Sequence, residues 1–434
     1  MRRNTAHLVA GGAVVVVLSG LLVAGCTTAP ADDQPTSSPH VAVSGLPSTF
    51  VTAADWSVAV RSGSAVAAAD PGILVLRSAG SQAYVVSVLN PANGVPRWVS
   101  VPIPVTTIAP QAGFTSDDGH PWVVVESTTD ATTMLWVFDA YATGRDVQPV
   151  QGHKFEGANG KPPVVTVTDR GVLVTAVKEG GSLVYRPASG VAQVFATPGQ
   201  VPIRSYGTNV LVTLAGGFGL IAEKIGWLSK DRRPPGVAAN ATATAMAVDG
   251  AFVVAVWTGN DKRTTLALHE LLTGTVRATS QLAATDRAGR EPQPFLVARD
   301  GAWAVYGSRA FNLSNGAETV LQGGPYAFTQ IQDAVAYGVE PAAAAPSTAP
   351  SPSPSASASR VPSAASSPSV STPATKPATK PVVLDLLTGA VLDTRTPVTV
   401  PGDFDGLGHG LFVMHAPGSG DDTLYAVPLK RWRP

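Results

Sequence analysis

The chain has a single cysteine, Cys26, among its 434 residues. An intramolecular disulfide is therefore excluded, and once Cys26 carries the lipid argued for below, no thiol is left for a metal site or for catalysis. Long stretches with helical periodicity are also missing, and charged residues make up only 14% of the chain. Val, Ala, Gly and Thr dominate instead, and this composition favours an all-β protein.

The chain also lacks an excess of charge of either sign. Its 30 basic residues balance its 30 acidic ones, and removal of Arg2 and Arg3 with a leader peptide would leave the remainder slightly acidic. A protein that binds nucleic acid needs a basic surface to neutralise phosphates. We therefore expect no nucleic-acid partner, and we expect the protein to be a monomer.

Catalytic motifs are missing as well. There is no G-x-S-x-G and no G-x-x-x-x-G-K, and the histidines are scattered without an i, i+4 pair. Gly217–Ala222 matches G-x-G-x-x-A, but a dinucleotide site needs a following helix, for which 220–230 is the candidate, and an acidic residue about 20 positions later, which is missing. We favour a glycine-rich bend, and we predict no catalytic residue and no cofactor. Whether the protein is an enzyme stays open, with a non-enzyme favoured.

One short segment has the composition of a calcium loop. Asp403 and Asp405 alternate with other residues before Gly406, and carboxylate oxygens are the ligands that Ca²⁺ prefers. These two residues are the candidate metal ligands. The later ligand positions are occupied by Leu407 and by glycines around His409, so the interpretation we favour is an Asx-type turn without a metal.

The N-terminal segment has the features of a bacterial lipoprotein leader. Arg2 and Arg3 precede an apolar run, Leu8–Val23, that is short for a membrane span. The sequence Leu-Val-Ala-Gly-Cys, ending at Cys26, is a lipobox, in which the thiol receives diacylglycerol. We predict a signal peptide at 1–25, lipidation of Cys26, a disordered Thr/Ser/Pro-rich tether at 26–47, and a location on the outer face of the cytoplasmic membrane. An uncleaved anchor helix is the alternative.

A repeated unit organises the rest of the chain. Its clearest copy is Val382–Arg395, VVLDLLTGAVLDTR, in which two apolar runs flank an acidic residue and a Thr-Gly pair. This pattern is typical of a β-hairpin with a glycine-containing turn. GLIAEKIGWLS from Gly219 fits a degraded copy. The turn glycines of the clearest copy and of the others are Gly94, Gly144, Gly190, Gly274, Gly316 and Gly389.

The spacing of the copies predicts the architecture. A period of roughly 40 to 45 residues with strand content is typical of β-propeller blades. A short apolar strand precedes each copy, often after Asp-Gly, as in DGAFVVAVW from Asp249. We predict an all-β propeller at 48–434 with four-stranded antiparallel blades. The spacing fits eight blades best, and seven blades are the alternative. The last blade lacks an outer strand, which we expect the N-terminal stretch Val41–Trp56 to supply, since pairing closes an exposed edge.

A low-complexity segment interrupts the repeats. Residues 341–380 are almost entirely Pro, Ala, Ser and Thr, a composition that predicts a disordered insert. It lies between AVAYGVE and PVVLDLLTG, so we expect it inside one blade. Loop-closure entropy grows slowly with length, and a blade can therefore tolerate such an insert. An O-glycosylated insert and an unmodified spacer are both open.

The hairpins resemble the quinoprotein-type (PQQ-like) β-propeller repeat. That repeat reads roughly apolar-Tyr-Ala-apolar-Asp-x-x-Thr-Gly-x-x-x-Trp, and Trp136–Gly144, Leu266–Gly274 and Val382–Gly389 come near it. The resemblance implies a propeller over most of 48–434. The single cysteine departs from the vicinal cysteine pair of many quinoprotein dehydrogenases. The Ala, Val, Pro and Gly bias indicates a bacterium with high GC content, an actinobacterium.

Two hypotheses on function follow. The first is a lipid-anchored extracytoplasmic module that binds or scaffolds a protein, peptide or glycan partner at the cell envelope, on the top-face loops that surround the propeller funnel. The alternative is a propeller enzyme, either a quinone- or metal-dependent oxidoreductase or a lyase or hydrolase of cell-wall glycans. An enzyme needs polar residues that converge at the axis, so the residues around the axis discriminate between the two.

Overall fold

The structure is a computed structural model, and it describes residues 38–80, 83–104, 108–178, 181–195, 200–221, 225–260, 262–323, 326–340, 380–393, 399–415 and 421–430. The predicted signal peptide, Cys26 and nearly all of the 341–380 insert lie outside these ranges. Described strands begin at Ser38, before the predicted domain start at residue 48. In the described part, no helix has the length and apolar character needed to cross a membrane.

The strands form eight sheets, which are the eight blades of a β-propeller. The predicted fold class and blade number are therefore confirmed. We name the strands of each blade A to D from the axis outward. The A strands of successive blades contact one another around the ring, and between the fourth and fifth blades Arg204 bonds to Val248 O.

The strand bounds follow the chain from its N-terminal side. The first two strands, which belong to blade 8, are β1 (Ser38–Ala42) and β2 (Ala53–Arg61). Blade 1 consists of β3 (Ala65–Ala69), β4 (Gly72–Ser78), β5 (Ala83–Leu89) and β6 (Pro96–Ser100), with the short β7 (Ile103–Pro104) against β5. Blade 2 consists of β8 (Ile108–Asp117), β9 (His120–Thr129), β10 (Thr132–Asp139) and, after β11 (Gly144–Val147), β12 (Gln151–Glu156). Strand β11 pairs in parallel with β6 of blade 1.

Blades 3 to 5 each have four strands. Blade 3 consists of β13 (Val164–Thr168), β14 (Gly171–Thr175), β15 (Ser182–Arg186) and β16 (Val191–Phe195). Blade 4 consists of β17 (Val201–Tyr206), β18 (Asn209–Leu214), β19 (Gly217–Ile221) and β20 (Ile225–Leu228). Blade 5 consists of β21 (Thr242–Asp249), β22 (Phe252–Thr258), β23 (Thr264–Glu270) and β24 (Val276–Leu282).

The last three blades complete the ring. Blade 6 consists of β25 (Phe295–Val297), β26 (Trp303–Tyr306), β27 (Arg309–Asn312) and β28 (Glu318–Val320). Blade 7 consists of β29 (Ala327–Gln332), β30 (Val335–Glu340) and β31 (Lys380–Asp385). Blade 8 consists of β32 (Asp403–Phe404), β33 (His409–His415) and β34 (Asp421–Pro428), followed by β2 and β1. The helical segments of the described part are one-turn 3₁₀ helices at Ala158–Gly160, Ser229–Asp231 and Arg287–Gly289.

An N-terminal strand closes the ring, as predicted. Strand β2 pairs antiparallel with β34, from Trp56 opposite Ala426 to Arg61 opposite Asp421. The closing strand, Ala53–Arg61, overlaps only the C-terminal end of the predicted stretch Val41–Trp56, and β1 adds a fifth strand outside it. The pairing satisfies the backbone groups of β34 that would otherwise form an exposed edge.

The insert lies within blade 7, between two adjacent strands. Strands β30 and β31 pair antiparallel, with Glu340 opposite Lys380 at their ends. Among the described residues, a single bridge between Leu384 and Val391 lies at the position of the D strand in blade 7. Residues 341–379 therefore connect strands B and C of one blade rather than two domains.

The repeated hairpins are the C–D hairpins of the blades. In five of them, the glycine N–H donates to the carbonyl four residues earlier, as in Gly94 to Asn90 O and Gly389 to Asp385 O. These glycines have positive φ, such as +70° at Gly94 and +74° at Gly389, where glycine is favoured. The candidate helix at 220–230 is wrong, because this stretch contains the end of β19 and all of β20, separated by residues outside the described part.

Hydrophobic patterning follows the position of a strand in its blade. Middle strands such as β22 are buried on both faces because neighbouring blades cover them, so their residues form uninterrupted apolar runs. Outer strands such as β24 alternate between buried and exposed residues. The core is thus divided into wedges, for example where Phe218 and Trp227 of blade 4 pack against Trp257 and Leu271 of blade 5.

Candidate binding site at the axial mouth

The A–B and C–D turns of each antiparallel blade lie at the same end of that blade. We call the surface that these turns form the turn face. Two adjoining clefts open on it, one at the axis and one beside it. The clefts bring together charged residues that lie far apart in the sequence.

The cleft at the axis has a volume of about 530 Å³. Its walls come from the A strands and A–B turns of blades 2 to 8. We call the charged group within it the axial mouth, which consists of Asp169, Arg170, Arg204, Asp249, Arg299 and Asp403.

Two half-buried carboxylates of the axial mouth accept hydrogen bonds from backbone groups of the next blade. Asp249 Oδ2 accepts a hydrogen bond from Val297 N at 2.7 Å, and Asp403 Oδ2 accepts one from Ala68 N at 2.6 Å. Burial raises the pKa of both carboxyl groups, and the backbone N–H groups oppose part of that rise. These carboxylates therefore brace neighbouring A strands.

Two arginines of the axial mouth also bond to backbone carbonyls. Arg204 Nη1 donates to Val248 O at 2.9 Å, and its Nη2 lies 3.5 Å from Asp169 Oδ1. Its Nε is buried without a hydrogen-bond acceptor among the described residues. Arg299 reaches across blade 7 to donate to Phe404 O at 2.8 Å.

Arg170 differs from these two arginines. Its guanidinium carbon lies 5.3 Å from the centroid of the Tyr206 ring, a cation–π arrangement. No carboxylate pairs with Arg170 in the part of the chain that the structure describes. Arg170 and Tyr206 line both clefts, so they form the wall that separates them.

The second cleft has a volume of about 560 Å³ and extends the axial one toward blades 2 and 5. Its acidic side is neutralised, because Arg186 Nε donates to Asp117 Oδ1 at 2.6 Å and Arg186 Nη2 lies 2.8 Å from Asp118 Oδ1. Asp117 Oδ2 also accepts a hydrogen bond from Ala188 N. Leu272, on the C–D turn of blade 5, contributes an apolar wall and is 46% exposed.

The two candidate metal ligands, Asp403 and Asp405, are used in other contacts. Asp405 Oδ1 accepts hydrogen bonds from Leu407 N and His409 N, both at 2.9 Å, which makes an Asx-type turn. Asp405 Oδ2 lies 2.6 Å from His409 Nδ1, while Asp403 faces Ala68 in the axial mouth. Within the described ranges, no group of three His, Cys, Asp or Glu side chains is placed to hold a metal.

His409 is a bridge between two carboxylates at the ring closure. Its Nε2 lies 3.0 Å from Asp55 Oδ2 on β2, opposite its contact with Asp405. The hydrogen bond with Asp405 raises the pKa of His409, which burial partly opposes. None of the histidines in the described ranges lines the axial cleft. The five in the sequence's propeller region are His120, His153, His269, His409 and His415.

The described tryptophans pack in hydrophobic clusters between neighbouring blades. Three of them, each on a D strand, donate from Nε1 to a carbonyl in the C–D turn of the next blade. The distances are 2.8 Å for Trp56 to Pro91 O, 3.2 Å for Trp98 to Ala140 O and 2.8 Å for Trp227 to Leu271 O. These side chains are buried, so they do not form a sugar-binding platform.

The axial mouth was not identified from the sequence, although the sequence contains a pattern that points to it. Asp-Gly and Asp-x-Gly turns before middle strands were visible in DRGVLVTAV from Asp169 and DGAWAVYGS from Asp300. In a propeller these A–B turns all lie on one face near the axis, so charged residues beside them converge. Arg170 and Arg299 occupy such positions. Arg204 and Tyr206 lie in β17, whose register the sequence alone did not define.

Comparison with known proteins adds little to this geometry. No protein-family model matches the chain, and no curated protein does. Solved structures with a similar course include Hsv2 from Kluyveromyces lactis, with 9% identity, 63% of this chain and 88% of that chain covered, and a TM-score of 0.34. The WD40 domain of Toxoplasma gondii coronin has 12% identity, with 66% of this chain and 73% of that chain covered and a TM-score of 0.33. An uncharacterized protein from Listeria monocytogenes EGD-e has 10% identity, with 64% of this chain and 97% of that chain covered and a TM-score of 0.31. The protein is a β-propeller on the evidence of its own strand pairing, and similarities this weak carry no functional argument.

Proposed function

We propose that the protein is a lipid-anchored, extracytoplasmic β-propeller that binds a protein or glycan partner at the cell envelope through its turn face. The observation that carries this proposal is the axial mouth, where charged side chains from separate blades converge on two adjoining clefts. This is the face opposite the top-face loops expected from the sequence. Clefts with a few convergent polar groups are the default binding surfaces of a fold.

Binding is favoured over catalysis by the use of the axial carboxylates. The enzyme hypothesis requires polar residues at the axis, and they are present there. However, Asp249 and Asp403 accept backbone N–H groups of the next blade, so they act as braces rather than as free general acids or bases. Proteins of this fold carry many functions, and the site therefore weighs more than the fold.

The anchor and origin rest on the sequence. The lipobox that ends at Cys26 supports attachment to the outer face of the cytoplasmic membrane. The C–D hairpins with their turn glycines support the resemblance to the quinoprotein-type repeat at the level of architecture. The composition supports an actinobacterial lipoprotein, and the insert supports an extracytoplasmic, hydroxyl-rich surface segment.

Site-specific photocrosslinking tests the proposal. A photoreactive residue replaces Leu272 on the turn face, and in a matched control it replaces Val164, which is 58% exposed at the opposite end of an A strand. The full-length protein is irradiated in its native membrane, and adducts are identified by mass. We expect a reproducible partner at position 272 and none at 164. A partner only at 164 would place the binding surface on the top face, and a retained small molecule without any macromolecular adduct would favour the enzyme.

A further inference from the structure

In the two clefts most hydrogen-bond acceptors are already used, whereas the guanidinium of Arg170 has no hydrogen-bond acceptor among the described residues. We propose that the clefts bind an acidic peptide segment of the partner, with its carboxylates on Arg170 and on the neighbouring donors of the axial mouth. This inference rests on the proposed function and specifies the chemistry of the partner. It follows from a comparison of the donors and acceptors that line the clefts.

Most acceptors are occupied; the exception is Asp169, which is 53% exposed and lies 3.5 Å from Arg204 Nη2. Asp117 is held by Arg186 and by Ala188 N. Asp249 and Asp403 are held by the backbone of the next blade. A cationic ligand would have to displace these contacts, and displacing them would leave buried groups unpaired at a cost of about 1–3 kcal/mol each.

The donors are less occupied. Within the described residues, the guanidinium of Arg170 is positioned only by the Tyr206 ring. Arg204 Nη1 already donates to Val248 O, but the contact of its Nη2 with Asp169 is long, at 3.5 Å. A guanidinium without a carboxylate partner favours ligands with paired oxygen acceptors, and carboxylates and phosphates both meet that requirement.

The arrangement of the clefts favours a peptide over a phosphate ion. A phosphate site gathers several donors around one point, as at a helix N-terminus or a nest of backbone N–H groups. Here Arg170 stands on the wall between two clefts, whereas Arg204 belongs to the axial one only. Leu272 and the Tyr206 ring add apolar surface in between, which suits the side chains of an extended segment.

The test measures the binding of a fluorescein-labelled hexaglutamate peptide to the full-length protein in detergent, by fluorescence anisotropy. We expect binding that weakens with added salt, because salt screens contacts between exposed charges. Arg170→Gln should weaken binding by about tenfold or more, the loss expected for a charged hydrogen bond. The affinity of Arg170→Lys for the peptide should fall between those of the wild type and Arg170→Gln, since lysine keeps the charge but lacks the planar guanidinium.

Matched controls separate a specific site from general attraction. Arg287 is 70% exposed, pairs with Glu291, and lies on a D–A connection of the other face. Arg287→Gln should bind hexaglutamate as the wild type does, and a hexaglutamine peptide should not bind. Far-ultraviolet circular dichroism of each variant confirms that the fold is kept.

The outcomes distinguish this inference from the proposed function. A crosslinked partner at position 272 without hexaglutamate binding would overturn the acidic peptide and leave the binding module intact. Equal affinity of wild type and Arg170→Gln would also overturn it. Competition by inorganic phosphate at millimolar concentration, or by phosphatidylglycerol vesicles, would reassign the clefts to a phosphate or to a membrane and reject the peptide.

Discussion

The indole of Trp56 lies against Gly94 of the neighbouring blade, and its Nε1 donates a hydrogen bond to Pro91 O at 2.8 Å. Trp56 belongs to the strand that closes the ring, whereas Gly94 lies in the C–D turn of blade 1. The contact therefore joins the N-terminal closing strand to the first blade that follows it. A Cβ at Gly94 would overlap the indole, so this turn requires glycine for packing as well as for its φ of +70°.

Gly94→Ala should destabilise the protein more than a matched change at Gly63. Both glycines have positive φ, +70° and +79°, but an added Cβ at Gly63 meets open space. Gly63→Ala should cost only the conformational penalty of about 1 kcal/mol. Gly94→Ala should cost about 3 kcal/mol, because overpacking adds to that penalty. Urea denaturation measures both free energies of unfolding, and equal values would contradict the Trp56 contact.

The bridge through His409 should make the stability of the ring depend on pH. Asp405 is nearly inaccessible, with 1% of its side chain exposed, and its hydrogen bond raises the pKa of His409. A raised pKa means that the folded state binds the proton more tightly than the unfolded state. The stabilisation is therefore complete below the unfolded pKa of about 6.5 and is lost as the pH rises through the folded pKa.

His409→Gln isolates that contribution. At pH 5.5 the variant should be less stable than the wild type by about 3 kcal/mol, the usual cost of breaking a buried charged pair. The difference should shrink toward pH 9. His415→Gln, which removes a 62% exposed histidine paired with Asp422, serves as the control and should cost under about 1 kcal/mol. A difference for His409→Gln that stays constant or grows with pH would refute the bridge.

The sequence predicted the parts of this fold that are set by local patterns. Turn glycines with apolar flanks marked the C–D hairpins, and their period defined the eight blades. The axial mouth depends on long-range geometry instead: Arg204 in blade 4 meets a carbonyl of blade 5, and Arg299 in blade 6 reaches blade 8. Such contacts leave no periodic trace. The glycine-rich bend favoured for Gly217–Ala222 is instead strand β19, Gly217–Ile221, because burial between blades outweighs the local preference of glycine for turns.

At Asp249, the fold should tolerate loss of the negative charge but not loss of the hydrogen-bond acceptor. Burial raises the pKa of this carboxyl group, so its ionisation opposes folding and the wild type loses stability as the pH rises through that pKa. Asp249→Asn keeps an acceptor for Val297 N and should be neutral or stabilising at pH 7. Asp249→Ala leaves that N–H unpaired and should cost about 1–3 kcal/mol. Denaturation at pH 5 and 7 tests this, and equal losses in both variants would show that the charge itself is needed.

Replacing residues 341–379 with an Asn-Gly turn should leave the propeller intact. Glu340 and Lys380 are paired at the ends of β30 and β31, and a two-residue Asn-Gly loop suits such antiparallel ends. Each doubling of loop length costs about 0.6 kcal/mol in closure entropy, so the shortened protein should gain up to about 2.5 kcal/mol in free energy of unfolding. The B–C connection leaves from the face opposite the turn face, so crosslinking at position 272 should be unchanged. A folded variant that no longer crosslinks there would show that the insert takes part in binding and would contradict a site confined to the turn face.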